Sequence, residues 1–222
     1  MIQVVPTIIP ENYTDILGDV ARVKGIVSRV QIDVADGTYA PSKTWPYNGD
    51  ESHLKEILAQ TEGLPYWDEM DYEVDLLINE PERAIDTWIQ VGIAAAIVHI
   101  ESTQKLDEII QKLKDVDCEI GLGIKPSTPN EELYRYIGTI DFVQCMGSDS
   151  IGYHGVALDE RVYDKIQSLR AQFPELPIAV DIGVDDETAP LLVEAGATKL
   201  ASGSLIFGSE DIRDTVTYLQ NL

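Results

Sequence analysis

Short apolar runs of β-strand character alternate along this sequence with amphipathic helical patterns, eight of each. The predicted strands are residues 3–8, 27–34, 72–78, 95–100, 119–124, 142–146, 178–181 and 199–201. The predicted helices are residues 11–24, 51–61, 81–91, 103–114, 130–137, 159–172, 186–195 and 211–222. Strict alternation favours parallel strands joined by right-handed crossovers, and eight repeats predict a closed (β/α)8 barrel, the TIM-barrel fold. No linker divides the chain, so residues 1–222 are predicted to form one domain.

The composition limits the classes of partner. The chain has 222 residues, 44% of them hydrophobic, which is enough for one large core. Its 16 basic and 39 acidic residues give a net charge of −23, which argues against nucleic acid and anionic membranes as partners. No leader and no bilayer-length apolar stretch is found, so a cytoplasmic protein is expected. Cys118 and Cys145 are predicted to be packed thiols.

Two of the predicted strands end in a carboxylate followed closely by glycine. They are the segments that contain Asp33, before Gly37, and Asp181, before Gly183. In a parallel barrel both side chains would lie on the carboxyl-end face, where active sites of this fold are found. Two carboxylates facing one site suit the removal of a proton from one side of a carbon and its return on the other.

Strand parity adds further polar groups to this face. Residues two apart share a side of a strand, which groups Gln31 with Asp33 and places Asp75 toward the same interior. Asp33, Asp75 and Asp181 would repel one another without compensation. Three arrangements are open: a hard cation on this oxygen set, a positive charge supplied by Lys125, or a neutral Asp75 hydrogen-bonded to Gln31.

Two other features bear on stability. Arg29 and Glu73 lie one layer deeper and are predicted to form an interior ion pair between neighbouring strands. The irregular acidic segment 63–71 precedes the third strand, at the amino-end face, where a role in stability or assembly is expected.

An ordered set of short motifs runs along the predicted strand ends. In chain order they are Pro6-Thr7-Ile8-Ile9; Gln31, Asp33, Ala35, Asp36, Gly37 and Pro41; Glu73-Val74-Asp75-Leu76-Leu77; His99 and Glu101; Lys125-Pro126-Ser127-Thr128-Pro129; Met146; Gly152-Tyr153-His154-Gly155-Val156; Val180-Asp181-Ile182-Gly183; and Gly203-Ser204-Leu205-Ile206-Phe207. This set resembles the ribulose-phosphate 3-epimerase family nearly end to end.

The resemblance implies a chemistry. In that family two aspartates act as acid and base on opposite faces of the substrate carbon, roles that pass to Asp33 and Asp181. A divalent metal, held there by two histidines and the same two aspartates, stabilises the enediolate. Gln31 and Asp75 stand where the histidines would be, so any metal on Gln31, Asp33, Asp75 and Asp181 is expected to be Mg²⁺ or Mn²⁺ rather than Zn²⁺.

The resemblance also implies substrate contacts. A phosphate group is expected at the backbone of Gly183, Gly203 and Ser204, where the family has Gly-Gly in place of Ile182-Gly183. The hydroxyl of Thr7 is expected near the site. The family's methionine shelf under the reacting carbon is kept in part through Met146 and eroded in part through Ala35 and Leu77. The loop with Gly152 and Gly155 is expected to cover the substrate with altered contacts. His154 in this loop is either an exposed surface residue, the preferred interpretation, or a hydrogen-bond donor. His99 is expected to be a buried, hydrogen-bonded strand residue.

Three functions follow, in order of preference. The first is a sugar-phosphate epimerase or isomerase acting on a ketose phosphate, with a homo-oligomer possible. The second is a non-catalytic barrel relative that binds a phosphorylated metabolite or a protein partner, which the loss of both imidazoles motivates. The third is a lyase or aldol-type reaction that uses Lys125.

Overall fold

The computed structural model describes residues 1–153 and 155–222, and its centre is a closed barrel of parallel strands. Each strand pairs with the next in sequence, and β8 returns to β1. The strands are β1 Gln3–Ile8, β2 Arg29–Ala35, β3 Asp71–Leu77, β4 Ala95–His99, β5 Glu119–Ile124, β6 Phe142–Met146, β7 Ile178–Asp181 and β8 Lys199–Ser202. The predicted (β/α)8 barrel is confirmed, with all strand ends within two residues of their predicted positions.

Helices surround this barrel. Within the described ranges they are α1 Tyr13–Val23, α2 Ser52–Leu58, α3 Ile85–Val91, α4 Leu106–Asp115, α5 Glu131–Tyr134, α6 Arg161–Gln172, α7 Thr188–Ala195, α8 Ser204–Gly208 and α9 Ile212–Gln220. The prediction of one helix over residues 81–91 was wrong in detail, because Pro81–Arg83 forms a separate 3₁₀ turn before α3. Helix α8 was missed, since five residues are too few to show a helical period. None of the described helices is long and apolar enough to cross a membrane.

Local capping explains where two of the helices begin and end. Asn12 and Asp15 form a reciprocal capping box, each side chain accepting a hydrogen bond from the other's backbone N–H at the start of α1. Gly196 ends α7 in the left-handed conformation, with φ of 119°. Both signals were present in the sequence.

Strand pairing sets the height of the polar interior residues. On β2, Val30, Ile32 and Val34 belong to the large apolar cluster that packs beneath the helices, so the alternate residues face the barrel axis. The register places Asp33 opposite Asp75 on β3, and Met146 of β6 opposite Asp181 of β7. The pairing therefore brings distant polar residues to one level of the barrel.

A layer of charged residues, with a buried pair at its centre, lies below that level. Lys199 Nζ is 2.5 Å from Glu73 Oε2, and both side chains are buried. The predicted contact between Arg29 and Glu73 is present at 3.7 Å, but Arg29 bonds more closely to Glu119, at 2.7 and 2.8 Å. Burial raises the pKa of Glu73 and lowers the pKa of Lys199, while each partner's charge opposes the shift of the other. The charges of this layer are thus matched within the protein.

We expect loss of one member of this buried pair to be more damaging than loss of both. Glu73→Gln and Lys199→Met each leave a buried charge without its partner, which costs about 3–5 kcal/mol of unfolding free energy. The double variant removes both charges and should recover much of that loss. Chemical denaturation of the four proteins measures the cycle, and additive losses in the double variant would contradict the pairing.

Candidate active site

A cavity at the carboxyl ends of the strands contains both aspartates of the predicted proton-transfer pair. Asp33 on β2 and Asp181 at the end of β7 line this space of about 180 Å³. The residues predicted for substrate binding line the same cavity: Thr7, Met146, Gly152, Gly155, Gly183, Gly203 and Ser204. The fold therefore brings these predicted residues, which follow or end five different strands, to one cavity.

The carboxylates of this face form a compact group. Asp33, Asp75 and Asp181 each offer an oxygen, and these oxygens lie within 4.8 Å of one another. All three residues are at least 95% buried. Gln31 Nε2 donates to Asp33 Oδ1 at 2.9 Å and to Asp181 Oδ2 at 3.3 Å. A single amide therefore links the two carboxylates of the pair.

Asp75 has a different set of partners. Its Oδ1 is hydrogen-bonded to His99 Nε2 at 2.7 Å, and its Oδ2 accepts from Gln144 Nε2 at 3.0 Å. The alternative of an Asp75–Gln31 hydrogen bond was wrong, because the Gln31 amide is directed to the other two carboxylates while β4 and β6 supply the donors to Asp75. His99 is buried and hydrogen-bonded, as predicted. Gln144 was not predicted as a site residue, and its signal in the sequence is its position two residues before Met146 on β6.

Burial and mutual repulsion raise the proton affinity of the pair. Burial, followed by the charges of Asp181 and Asp75, raises the pKa of Asp33 well above its usual value. Burial and the charge of Asp75 raise the pKa of Asp181 to about 7. Burial disfavours the charged form of His99, but the charge and hydrogen bond of Asp75 outweigh it and raise its pKa. Both shifts favour the protonated form, so these two carboxyl groups hold a proton to higher pH than exposed carboxyl groups do.

These shifts make the free energy of unfolding depend on pH. Asp181 has a pKa of about 7 in the folded chain against 3.8 as the ordinary value. The folded chain binds this proton more tightly than the unfolded chain, and this difference stabilises the fold. The stabilisation is fully present below pH 3.8 and is lost as the pH rises through about 7. Asp181→Asn removes this titration, so between about pH 4 and pH 8, in metal-free buffer, the variant should gain on the order of a few kcal/mol relative to the parent.

Denaturant titrations at a series of pH values measure this gain. Asp164→Asn, an exposed substitution on α6, serves as the control and should follow the parent throughout. A stability difference between Asp181→Asn and the parent that stays constant across the pH range would show that Asp181 does not titrate there.

The group of oxygens at the mouth fits a hard divalent cation. Carboxylate and amide oxygens are the donors that Mg²⁺ and Mn²⁺ prefer, and no imidazole faces Asp33 or Asp181 to favour Zn²⁺ among the described contacts. Gln31 Oε1 is buried without a hydrogen-bond partner in the described part of the chain. Rotation of the Gln31 amide exchanges its nitrogen and oxygen, which turns that oxygen toward the carboxylates. His99 behind Asp75 resembles the outer-shell groups that orient metal ligands.

Lys125 occupies a different environment. Its Nζ lies 4.3 Å from the centre of the Tyr39 ring, a cation–π contact. The Tyr39 hydroxyl donates to Glu101, which also accepts from the Lys125 backbone N–H. Lys125 is not among the described residues that line the cavity.

Apolar residues close one side of the cavity. Met146 and Leu77 line it, and they pack in a separate buried cluster with Ala35, Ala40 and Ile151. This cluster contains Met146, the residue of the methionine shelf that the chain keeps, together with its replacements Ala35 and Leu77. The loop residue His154 lies outside the described residues.

Comparisons with known proteins agree with this geometry. A family model described as the Ribulose-phosphate 3 epimerase family matches residues 3–207. Ribulose-phosphate 3-epimerase of Bacillus subtilis is 30% identical over 227 residues, covering 99% of each chain. The chloroplastic ribulose-5-phosphate-3-epimerase of Arabidopsis thaliana is 29% identical, covering 95% of this chain and 73% of the relative.

Solved structures of low sequence identity share the fold. The 3-hexulose-6-phosphate synthase of Salmonella typhimurium aligns with a TM-score of 0.71 at 12% identity, over 99% of this chain and 98% of that one. The 3-keto-L-gulonate-6-phosphate decarboxylase of Vibrio cholerae aligns with a TM-score of 0.70 at 16% identity, over 100% and 95%. Both likenesses concern the barrel architecture alone.

Proposed function

Because the chain belongs to the ribulose-phosphate 3-epimerase family, we propose that it interconverts the C3 epimers of a phosphorylated ketose through an enediolate. The observation that carries this proposal is the buried pair Asp33 and Asp181, which line one cavity with raised pKa values. A phosphorylated small molecule is therefore the proposed partner, and we retain the sequence predictions of a cytoplasmic protein without nucleic-acid or membrane partners.

The proposed reaction needs one carboxylate and one carboxylic acid. The ionised member of the pair takes the proton from C3, and the electrons of the broken C–H bond move toward the neighbouring carbonyl to give the enediolate. The protonated member then delivers its proton to the opposite face of C3, which restores the carbonyl with inverted configuration. After one turnover the two aspartates have exchanged protonation states, and reverse turnover or exchange with water resets them.

The pair's environment supports this exchange of roles. In the orientation described, before the rotation that a cation would require, the Gln31 amide donates to Asp33 at 2.9 Å and to Asp181 at 3.3 Å and so holds the two carboxylates beside each other. The raised pKa values keep a proton on the pair near neutral pH, since two neighbouring buried carboxylates do not both ionise readily. Leu77 and Met146 exclude water from the side of the cavity that they form. A dry wall of this kind strengthens the electrostatic interactions of the intermediate.

The charge that develops on the enediolate oxygens needs a positive partner. Gln31, Asp33, Asp75 and Asp181 would hold a hard cation, which when bound supplies that charge beside the substrate. In this assignment His99 and Gln144 orient Asp75 through its two oxygens. Lys125 contacts the Tyr39 ring and is not among the described residues that line the cavity, which makes it the less suitable source of positive charge.

The phosphate is proposed to bind at the backbone of Gly183, Gly203 and Ser204, which line the cavity beside the aspartates. Backbone N–H groups bind phosphate without a lysine. Such a site suits a chain whose net charge of −23 repels an anion at long range.

Substitution of either aspartate should stop epimerisation. Asp33→Asn and Asp181→Asn each remove one proton-transfer group, and general acid–base catalysis contributes about 10²–10⁴-fold to rate. Each variant should still exchange deuterium into one epimer, because the remaining carboxylate can form and quench the enediolate on its own face. Nuclear magnetic resonance of ketose phosphates in D₂O follows both events.

Asp164→Asn on α6 is the control and should retain the activity of the parent. If the parent binds ketose phosphates but takes up no deuterium into any of them, the non-catalytic binding protein replaces the epimerase as the better description.

Chelation and substitution of Lys125 separate the two sources of positive charge. We expect a chelator to abolish turnover and Mg²⁺ or Mn²⁺ to restore it, with Zn²⁺ less effective, because the donor set is oxygen. Either cation should also raise the melting temperature of the parent at pH 8, and should not raise that of Asp75→Asn to the same extent. Lys125→Met should retain activity. Activity that survives chelation but is lost in Lys125→Met would reverse the assignment.

A further inference from the structure

Another group of side chains that can bind a metal ion lies outside the barrel, on α2 and the turn that follows it. His53, Glu56 and Glu62 each offer one ligand atom, and these atoms lie within 4.8 Å of one another. His53 Nδ1 is 2.7 Å from Glu62 Oε2 and 4.0 Å from Glu56 Oε2. All three side chains are partly exposed, so an ion can reach them from solvent.

The backbone places these three side chains together. His53 and Glu56 are three residues apart on α2, so they share a face of the helix. After α2, Gln60 takes the left-handed conformation, with φ of 58°. The N–H groups of Thr61 and Glu62 then both donate to the carbonyl oxygen of Glu56, at 3.0 and 3.4 Å. These hydrogen bonds hold Glu62 beside the end of the helix that carries the other two residues.

Tyr13 of α1 restrains the imidazole of this group. The rings of Tyr13 and His53 are stacked, with centroids 4.1 Å apart and planes 11° apart. Tyr13 is buried, and its hydroxyl donates to the carbonyl oxygen of Gly63 at 2.6 Å. One residue of the neighbouring helix thus holds both the His53 ring and the chain next to Glu62. Ligands that are held in place in this way lose less conformational freedom when an ion binds.

The two carboxylates of the group lack a permanent cation. Among the described ion pairs, Glu56 and Glu62 contact the imidazole of His53 and no lysine or arginine. Lys55, which precedes Glu56 in the sequence, pairs instead with Glu51 at 3.1 Å. A neutral imidazole therefore leaves two negative charges beside a nitrogen donor. A divalent cation on these atoms would neutralise both charges and use all three ligands in the protonation states that metal binding requires.

The distances suit a small divalent cation. Zn²⁺ binds imidazole nitrogen and carboxylate oxygen at about 2.0–2.2 Å, so two ligand atoms of a tetrahedral site lie roughly 3.3–3.6 Å apart. The measured separations of 2.7 and 4.0 Å lie on either side of this range. Rotation of the partly exposed glutamate side chains can bring both separations into it. Three protein ligands leave the fourth position of the ion for water.

We propose that His53, Glu56 and Glu62 form a metal site that takes Zn²⁺. Its ligands differ from those at the mouth of the barrel, because imidazole suits Zn²⁺ whereas carboxylate and amide oxygens suit Mg²⁺ and Mn²⁺. The ion joins α2 to the turn from which the chain continues to β3, and it stabilises the folded chain by binding to it. This site is independent of the proposed function, since its three residues are not among the described residues that line the cavity.

Isothermal titration calorimetry with Zn²⁺, in buffer that contains Mg²⁺, tests the site. His53→Phe keeps a ring against Tyr13 but removes the nitrogen ligand. Glu62→Gln keeps the size of the side chain but removes its charge. Each substitution should weaken the binding of Zn²⁺ by about 10–100-fold or more, because the loss of a mere outer-shell partner of a metal ligand already costs about 10–100-fold.

Two controls locate the ion. Glu51→Gln, at the start of the same helix, removes the same charge as Glu62→Gln and should bind Zn²⁺ as the parent does. Asp75→Asn, which removes a carboxylate from the mouth, should also retain this binding. In thermal denaturation, Zn²⁺ should raise the melting temperature of the parent and of both control variants, but not that of His53→Phe. The same measurement without Zn²⁺ shows whether each variant is folded.

Three results would overturn the metal site. The first is a parent that binds no Zn²⁺. The second is binding that is weakened in Asp75→Asn but unchanged in His53→Phe and Glu62→Gln, which would place the ion at the mouth. The third is an equal loss in Glu51→Gln and Glu62→Gln, which would show that net charge alone attracts the ion. A parent that shows the expected Zn²⁺ binding but is inactive on every ketose phosphate contradicts the proposed function and supports the metal site.

Discussion

The mouth of the barrel is governed by the repulsion among three buried carboxylates. Asp33, Asp75 and Asp181 bring oxygens within 4.8 Å of one another, a separation at which two like charges cost about 3–4 kcal/mol with an effective dielectric constant of 20. Full ionisation of all three is therefore unfavourable. The compensation is divided among the Gln31 amide, the His99–Asp75 hydrogen bond and protons on the pair.

The barrel separates structural charges from charges available to chemistry. In the deeper layer, the buried Glu73 contacts the buried Lys199, and the half-buried Arg29 contacts the exposed Glu119, so each anion has a cation of the protein beside it. At the mouth, the carboxylates find amide and imidazole partners but no lysine or arginine among the described ion pairs. The ion pairs of the deeper layer stabilise the fold. The carboxylates at the mouth keep a net negative charge, which a proton or a cation can neutralise.

The amount that could be predicted differs among the residues of the site. The placement of Asp33 and Asp181 could be predicted from the sequence. A residue at the carboxyl end of a strand lies at the mouth of the barrel, and strand parity gives the side of the strand from which its side chain projects. Gln144 lies within the apolar run of β6, and its contact with Asp75 depends on a relation between nonadjacent strands that no local pattern encodes. The place of Lys125 depends on the loop that carries Tyr39, and loop conformation is weakly determined by sequence periodicity.

Cation binding and proton affinity at the mouth are two aspects of one balance of charge. A cation on these oxygens requires ionised carboxylates, so its binding releases protons and strengthens as pH rises through the pKa of Asp181, about 7. The bound cation would in turn lower the pKa of Asp33 and Asp181 and oppose the shift that burial produces. An acid and a base can coexist on the pair only where these effects nearly cancel. The family resemblance implies imidazole ligands at the positions of Gln31 and Asp75, so this chain would have one carboxylate more, and the hydrogen bond from His99 to that carboxylate moderates its charge. The chain thus has an imidazole near the site, that of His99, which is hydrogen-bonded to Asp75 and would not itself contact the cation.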